Sequence, residues 1–194
     1  MANFTLILAS TSPYRRELLQ RFGLPFDTEA PGTAEHRNPG ESPADMVARL
    51  AREKAAAVAN RHKSGLVIGS DQCAVLGGMV LGKPGSFERA VSQLAAASGH
   101  TVRFLTAVCV HDAATGRLHE ALDETVVKFR DLDDAEIRRY VEREQPLDCA
   151  GSFKSEGLGI TLFDRVENRD PTALMGLPLI ALAGLLREAG LPLP

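Results

Sequence analysis

Several features that would assign a function at once are scarce or missing. Basic charge is not in excess: 22 Lys and Arg face 25 Asp and Glu, a net charge of −3. Without a broad positive field the chain has no grip for a nucleic-acid backbone, so a polymeric nucleic-acid partner is disfavoured. Cysteine is sparse. Cys73, Cys109 and Cys149 are widely spaced and form no CxxC pair, which argues against a disulfide framework and a zinc knuckle and fits a reducing, cytoplasmic setting. Long apolar runs are lacking too: the early stretch over residues 4–9 is too short for a membrane span, and no basic residue precedes it as in a secretory leader. No internal repeat, low-complexity stretch or interdomain linker stands out.

What is present is ordinary globular usage, 44% apolar and 24% charged over 194 residues, enough for one substantial core and read as a single domain over residues 1–194. Strand-like and helix-like patterns alternate. Residues 4–9 form an apolar run of strand length, as for a strand covered on both faces. Ser12-Pro13 then reads as an N-cap with proline in the first turn, Leu18, Leu19 and Phe22 give an apolar face, and Gly23 is the stop. Ser42-Pro43-Ala44-Asp45 opens a second helix that runs to about Gly65. Residues 66–69 are a short strand, Gly77-Gly78 a tight hairpin returning through residues 79–81, and 82–85 a loop. A helix capped by Ser86 extends to about Ala97; strands over 102–111 and 118–129 join as a hairpin; Asp133 caps a helix ending near Arg143; residues 178–189 are a last helix. The class is α/β.

The chemistry-bearing residues lie where these elements turn. After the first strand, Ser10, Thr11 and Ser12 supply hydroxyls, the helix start supplies unpaired N–H groups, and Arg15 and Arg16 add fixed positive charge. That combination suits a polyphosphate. Taken singly, Ser12 is equally a plain cap and the arginines a solvated face. The segment is not a Walker A loop, since its glycines and the Gly-Lys-Ser/Thr ending are missing. Asp71, after Gly69-Ser70 at an apolar strand end, is either a turn residue or a carboxylate at the edge of a ligand crevice, where it would hold a divalent cation or take a proton from water. Lys54, Lys83 and Lys154 each read as surface, or together as neutralisers of a triphosphate.

Taken in order, Leu8-Ala9-Ser10-Thr11-Ser12-Pro13-Tyr14-Arg15-Arg16, Glu53-Lys54-Ala55, Gly69-Ser70-Asp71-Gln72, Gly82-Lys83-Pro84, Ala150-Gly151-Ser152-Phe153 and Gly176-Leu177-Pro178 make the chain resemble the Maf family of nucleotide pyrophosphatases. The series spans nearly the whole chain. The resemblance implies a mixed, twisted central sheet flanked by helices, of Maf/ITPase-like kind, with two lobes around a nucleotide-binding cleft. It also implies hydrolysis of nucleoside triphosphates between the α and β phosphates with Mg2+ or Mn2+. By the same implication Asp71 is the proton acceptor, Ser10, Arg15, Arg16, Lys54 and Lys83 hold phosphates, and Glu35 joins Asp71 in binding the metal or orients water; Lys154, read from its loop alone, is an additional candidate contact. The family often has Asp-Glu where this chain has Ala34-Glu35.

Tyr14, Gln72 and Glu156 look like the family branch that acts on 7-methyl-GTP; the dTTP/UTP branch differs at those places. A physical reason stands beside the resemblance. The guanine edge offers two N–H donors that one carboxylate accepts together, and N7 methylation makes the base cationic, which favours a carboxylate and stacking on Tyr14. Two alternatives remain open at this level: a house-cleaning pyrophosphatase of broad base tolerance that includes dTTP and UTP, and a non-catalytic nucleotide sensor affecting cell division. The expected partner is a small nucleotide, with no membrane. The Leu-rich segment over residues 177–186 reads as buried core or as a homodimer surface.

Overall fold

The computed structural model describes residues 5–194. Phe4, the expected first residue of the opening strand, lies outside them. Among the described residues seven strands and five α-helices occur: β1 (Leu6–Leu8), α1 (Pro13–Gln20), β2 (Asp27–Thr28), α2 (Pro43–Ala59), β3 (Leu66–Leu76), β4 (Met79–Leu81), α3 (Phe87–Ala97), β5 (Thr101–Asp112), β6 (Leu118–Phe129), α4 (Asp134–Glu144), β7 (Phe163–Glu167) and α5 (Leu179–Glu188). They form one mixed sheet of order β2-β1-β3-β5-β6-β7 with β4 paired to β3. The pairs β1–β2 and β1–β3 are parallel, whereas β3–β4 and β6–β7 are antiparallel. No described helix is long and apolar enough to cross a membrane.

Local signals set the helix starts. Ser12, Ser42, Ser86 and Asp133 each accept a backbone N–H from the first turn of the helix they precede, and Asp133 with Glu136 completes a reciprocal capping box. The strands depart from expectation in one place that matters. β3 does not stop at Gly69; it runs eleven residues through Asp71 to Leu76. Asp71 is therefore a mid-strand residue and not the end of one. Gly69-Ser70 looks like punctuation in one dimension, but lateral pairing carries the strand onward.

The chain divides into two compact units. The first comprises the chain through Asp71 with Thr106–Asp123 and Asp170–Pro194. Its core gathers Leu6 and Leu8 of β1, Leu66 and Ile68 of β3, Val108 and Val110 of β5, Leu18 and Leu19 of α1, and Leu182, Leu185 and Leu186 of α5. Each such leucine taken from water contributes about 1.5–3 kcal/mol. Leu177 and the α5 leucines are thus core, which is one of the two readings of that segment. Strand alternation sends Leu66 and Ile68 to this side and Val67, Gly69 and Asp71 to the other, where α2 lies.

The second unit comprises Gln72–Leu105 and Glu124–Arg169. The β3–β4 hairpin turns through Gly77 and Gly78, both at positive φ, as a two-residue hairpin requires. α3 packs on α4. Phe104, Phe129, Phe153 and Phe163 meet edge to face, with centroids 4.8–5.8 Å apart, a geometry that favours ring quadrupoles.

Candidate active site

Ser10 and Ser12 first build their own loop. Ser10 Oγ accepts the Ser12 N–H at 3.1 Å, and Ser12 Oγ accepts the Arg15 N–H at 3.4 Å. Pro13 follows the cap and no acidic residue occupies the first turn of α1, so the helix N-terminus keeps its positive end. Arg15 and Arg16 then diverge, since consecutive helical residues face different directions. Arg15 is half-buried, and its Nε donates to the Gly176 carbonyl at 2.8 Å. Burial lowers the pKa of its guanidinium from the ordinary value, while Asp71 and Glu35 act in the opposite sense. Arg16 is exposed and lines a depression of about 350 Å³ with Gln20, Leu24, Phe26 and Thr28. Tyr14 is half-buried on the same helix.

The charged centre of this unit is a contact between α2 and β3. Gly69 makes it possible: a Cβ there would stand 2.2 Å from the Ala51 carbonyl oxygen and 2.7 Å from the Ala55 nitrogen. Helix and strand backbones therefore touch. One turn of α2 and one strand repeat onward, Lys54 reaches Asp71, with Nζ 2.6 Å from Oδ1 and 2.5 Å from Glu35 Oε1. Lys54 is 4% exposed and Asp71 7% exposed, so the pair is buried and each partner is costly to remove alone. Glu35 is about half exposed. Lys54, expected as a phosphate ligand, spends two of its three N–H directions on carboxylates and keeps one. Ser70, on the opposite face of β3, offers its single hydroxyl proton to the Ala107 carbonyl at 2.8 Å and the Gly176 carbonyl at 3.0 Å.

The metal expectation meets this same point. Glu35 and Asp71 converge on one cation, which is the arrangement a hard divalent ion uses when phosphate oxygens and water complete its shell. Among the described residues no cluster of three or more His, Cys, Asp or Glu forms a self-sufficient metal cage. The two carboxylates are hard oxygen donors of the kind a divalent ion takes.

Gln72, Lys83, Lys154 and Glu156 belong to the second unit. Lys83 and Glu156 are exposed; Glu156 accepts from the Ser155 hydroxyl at 3.2 Å. Lys154 is engaged elsewhere: its Nζ donates to the Glu144 carbonyl at 2.9 Å, a cation at the C-terminal end of α4. Its N–H donates to the Tyr140 hydroxyl at 3.0 Å. The loop carrying Lys83 is held by a residue absent from every motif. Buried Ser152, at φ 63°, donates to Gln93 Oε1 at 2.5 Å, and Gln93 Nε2 donates to the Gly82 carbonyl at 3.2 Å. Gln93 and the Gly176 carbonyl escaped sequence reasoning. A lone helical glutamine carries no signal, and a main-chain oxygen has no residue identity to read.

Chemically, the first unit offers a buried acid beside a buried ammonium, a half-buried guanidinium and a helix N-terminus: a proton acceptor within an anion-binding shell. The chain is 59% identical over 189 residues to a protein of Xanthomonas oryzae pv. oryzae, covering 97% of this chain and 98% of the relative. It is 55% identical over 190 residues to one of Alcanivorax borkumensis, covering 98% and 96%, and 53% identical over 189 residues to one of Pseudomonas aeruginosa, covering 97% and 98%. Each relative is named 7-methyl-GTP pyrophosphatase. The Staphylococcus aureus Ham1 protein superposes with a TM-score of 0.47 at 14% identity over 66% of this chain and 72% of its own. The family model described as Maf-like protein matches residues 5–189; the chain belongs to the Maf-like protein family.

Proposed function

We propose that this protein hydrolyses the α–β phosphoanhydride of a nucleoside triphosphate, with 7-methyl-GTP as its substrate, releasing 7-methyl-GMP and pyrophosphate. The observation that carries the mechanism is the buried Lys54–Asp71 pair, joined by Glu35 and flanked by Arg15. The relatives' shared name supports the substrate.

In this reading Lys54 fixes the Asp71 carboxylate through Oδ1, and the second oxygen takes a proton from the attacking water. The water oxygen bonds to the α phosphorus, the bond from that phosphorus to the α–β bridging oxygen breaks, and the electron pair leaves on pyrophosphate. Arg15, Arg16, Lys83, the Ser10 loop and the remaining Lys54 N–H offset the charge that gathers there. Glu35 and Asp71 would hold a Mg2+ or Mn2+ ion, which when bound draws charge from the phosphate oxygens. Tyr14, Gln72 and Glu156 would select the base, with Glu156 accepting from N1 and N2 of guanine. The three thiols, none in a disulfide, support a reducing, cytoplasmic setting.

The test is to supply 7-methyl-GTP, GTP, UTP and dTTP with Mg2+ or Mn2+ and identify the products. Monophosphate and pyrophosphate, formed fastest from 7-methyl-GTP, are expected. Orthophosphate alone would sink the pyrophosphatase reading, binding without product would favour a sensor, and equal rates on all four would favour a broad-specificity enzyme.

A further inference from the structure

Arg15 is held by a carbonyl, and that carbonyl is held by a buried clamp. Gly176 O receives Arg15 Nε at 2.8 Å and lies 3.0 Å from Ser70 Oγ, next in sequence to Asp71. Gly176 sits at φ 105°, and an added Cβ would stand 3.4 Å from Arg15 Nε, so backbone and guanidinium are in direct contact. The segment bearing it is tied at both ends to one carboxylate. Asp170, 2% exposed, accepts the Thr172 N–H at 2.9 Å and lies 2.6 Å from the Thr172 hydroxyl through Oδ1, while its Oδ2 accepts the Ile180 N–H at 2.6 Å. The Thr172 hydroxyl accepts the Leu179 N–H at 2.9 Å and has a second acceptor for its proton in the Leu177 carbonyl, also at 2.9 Å. Thr106 Oγ adds a bond to the Ala173 carbonyl at 3.0 Å.

One function of this clamp is plain: Pro178 has no side-chain cap to give, so Asp170 and Thr172 satisfy the first N–H groups of α5. A local cap at the helix start would do that as well. Reaching from Asp170 to Ile180 does more, because it closes residues 170–180 into a ring with Gly176 inside it. We propose that Asp170 and Thr172 are positioning residues for Arg15: the ring fixes the Gly176 carbonyl, and the carbonyl fixes the guanidinium by its Nε, leaving the terminal nitrogens to meet phosphate. A guanidinium pre-set in this way loses less freedom when it binds. The inference rests on Arg15 binding the triphosphate.

The experiment measures affinity for the α,β-methylene analogue of 7-methyl-GTP with Mg2+, for Thr172→Val, Thr172→Ser and Asp170→Asn, each with Arg15 intact and with Arg15→Ala. With Arg15 intact, Thr172→Val and Asp170→Asn should weaken binding about tenfold, and Thr172→Ser, which keeps the hydroxyl, by no more than about twofold. In the Arg15→Ala background the same changes should cost less than about twofold, because the residue they position is gone. Equal losses in both backgrounds, or none with Arg15 intact, overturn the proposal. If Asp170→Asn does not fold, the Thr172 pair decides alone. A wild type that binds the analogue yet releases no pyrophosphate from the substrate would break the proposed function and leave this coupling measurable.

Discussion

Lys54 and Lys83 are both expected on phosphate, and the structure surrounds them differently. Lys54 is buried between two carboxylates where α2 touches β3. Lys83 is exposed on a turn whose backbone, not its side chain, is held in place by Gln93. The same contrast runs through the two units. One locks its acid, its ammonium and its arginine by burial, charge and close packing; the other is built on four edge-to-face rings, with ion pairs such as Arg103–Glu124 and Arg138–Asp134 at its surface and Glu156 exposed. Proton transfer and charge stabilisation gain from dipoles that need no rearrangement at the moment of reaction. Under the proposed function base selection asks less, since an exposed carboxylate would exchange water for a base edge.

The sharpest way to break this contrast is Asp71→Asn. It keeps shape but removes the proposed proton acceptor and the charge opposite Lys54, so kcat should fall about a thousandfold while the thermal midpoint drops because the buried ammonium loses a counter-charge; a folded variant that stays nearly active would end the assignment. Next comes Gly69→Ala. Its methyl would enter the α2 backbone, and denaturant titration should show a loss of about 3 kcal/mol. Gly82→Ala in the other unit meets nothing within 4 Å and should stay within about 0.5 kcal/mol of wild type. If the two alanines cost the same, close packing does not distinguish the units. Smaller still is Glu156→Gln, which should lower kcat/KM about tenfold for 7-methyl-GTP and about twofold for UTP, without moving the thermal midpoint. Equal losses on both substrates would remove Glu156 from base selection. The smallest effect concerns Cys149. Partial burial, with Asp148 beside it, pushes its thiol up to about 12, so alkylation by iodoacetamide at pH 8 should be slower than for an unperturbed thiol; labelling of the folded protein at the rate of the unfolded chain would contradict that shift.

Local chemistry is what the sequence made legible. Ser12, Ser42, Ser86 and Asp133 cap their helices as expected because a cap involves residues three apart. The Gly77-Gly78 hairpin is equally local. β2, two exposed residues at the sheet edge, and β7, with charged residues in its middle, gave no apolar pattern to read. The start of β3 at Leu66 is legible, but its end is not, because Gly69 reads as a break where it marks a close approach to α2. At the site, the residue types Lys54 and Asp71 were readable, but their union was not: they stand 17 positions apart in sequence and meet only when helix folds against strand. Gln93 and Asp170 act through the main chain of other segments, which no side-chain motif records.

β3 also ties chemistry to parity. Ser70 and Asp71 are neighbours in sequence, yet one serves the Gly176 carbonyl and the other Lys54, because successive strand residues point to opposite faces. A substitution alters one side at a time. The loss or gain of a single residue within the first half of β3 would instead exchange the two sides, sending the acid towards the leucine core and the hydroxyl towards Lys54. Length, at this stretch, is as strictly constrained as residue identity, and the segment should admit point changes while rejecting every odd-numbered insertion or deletion.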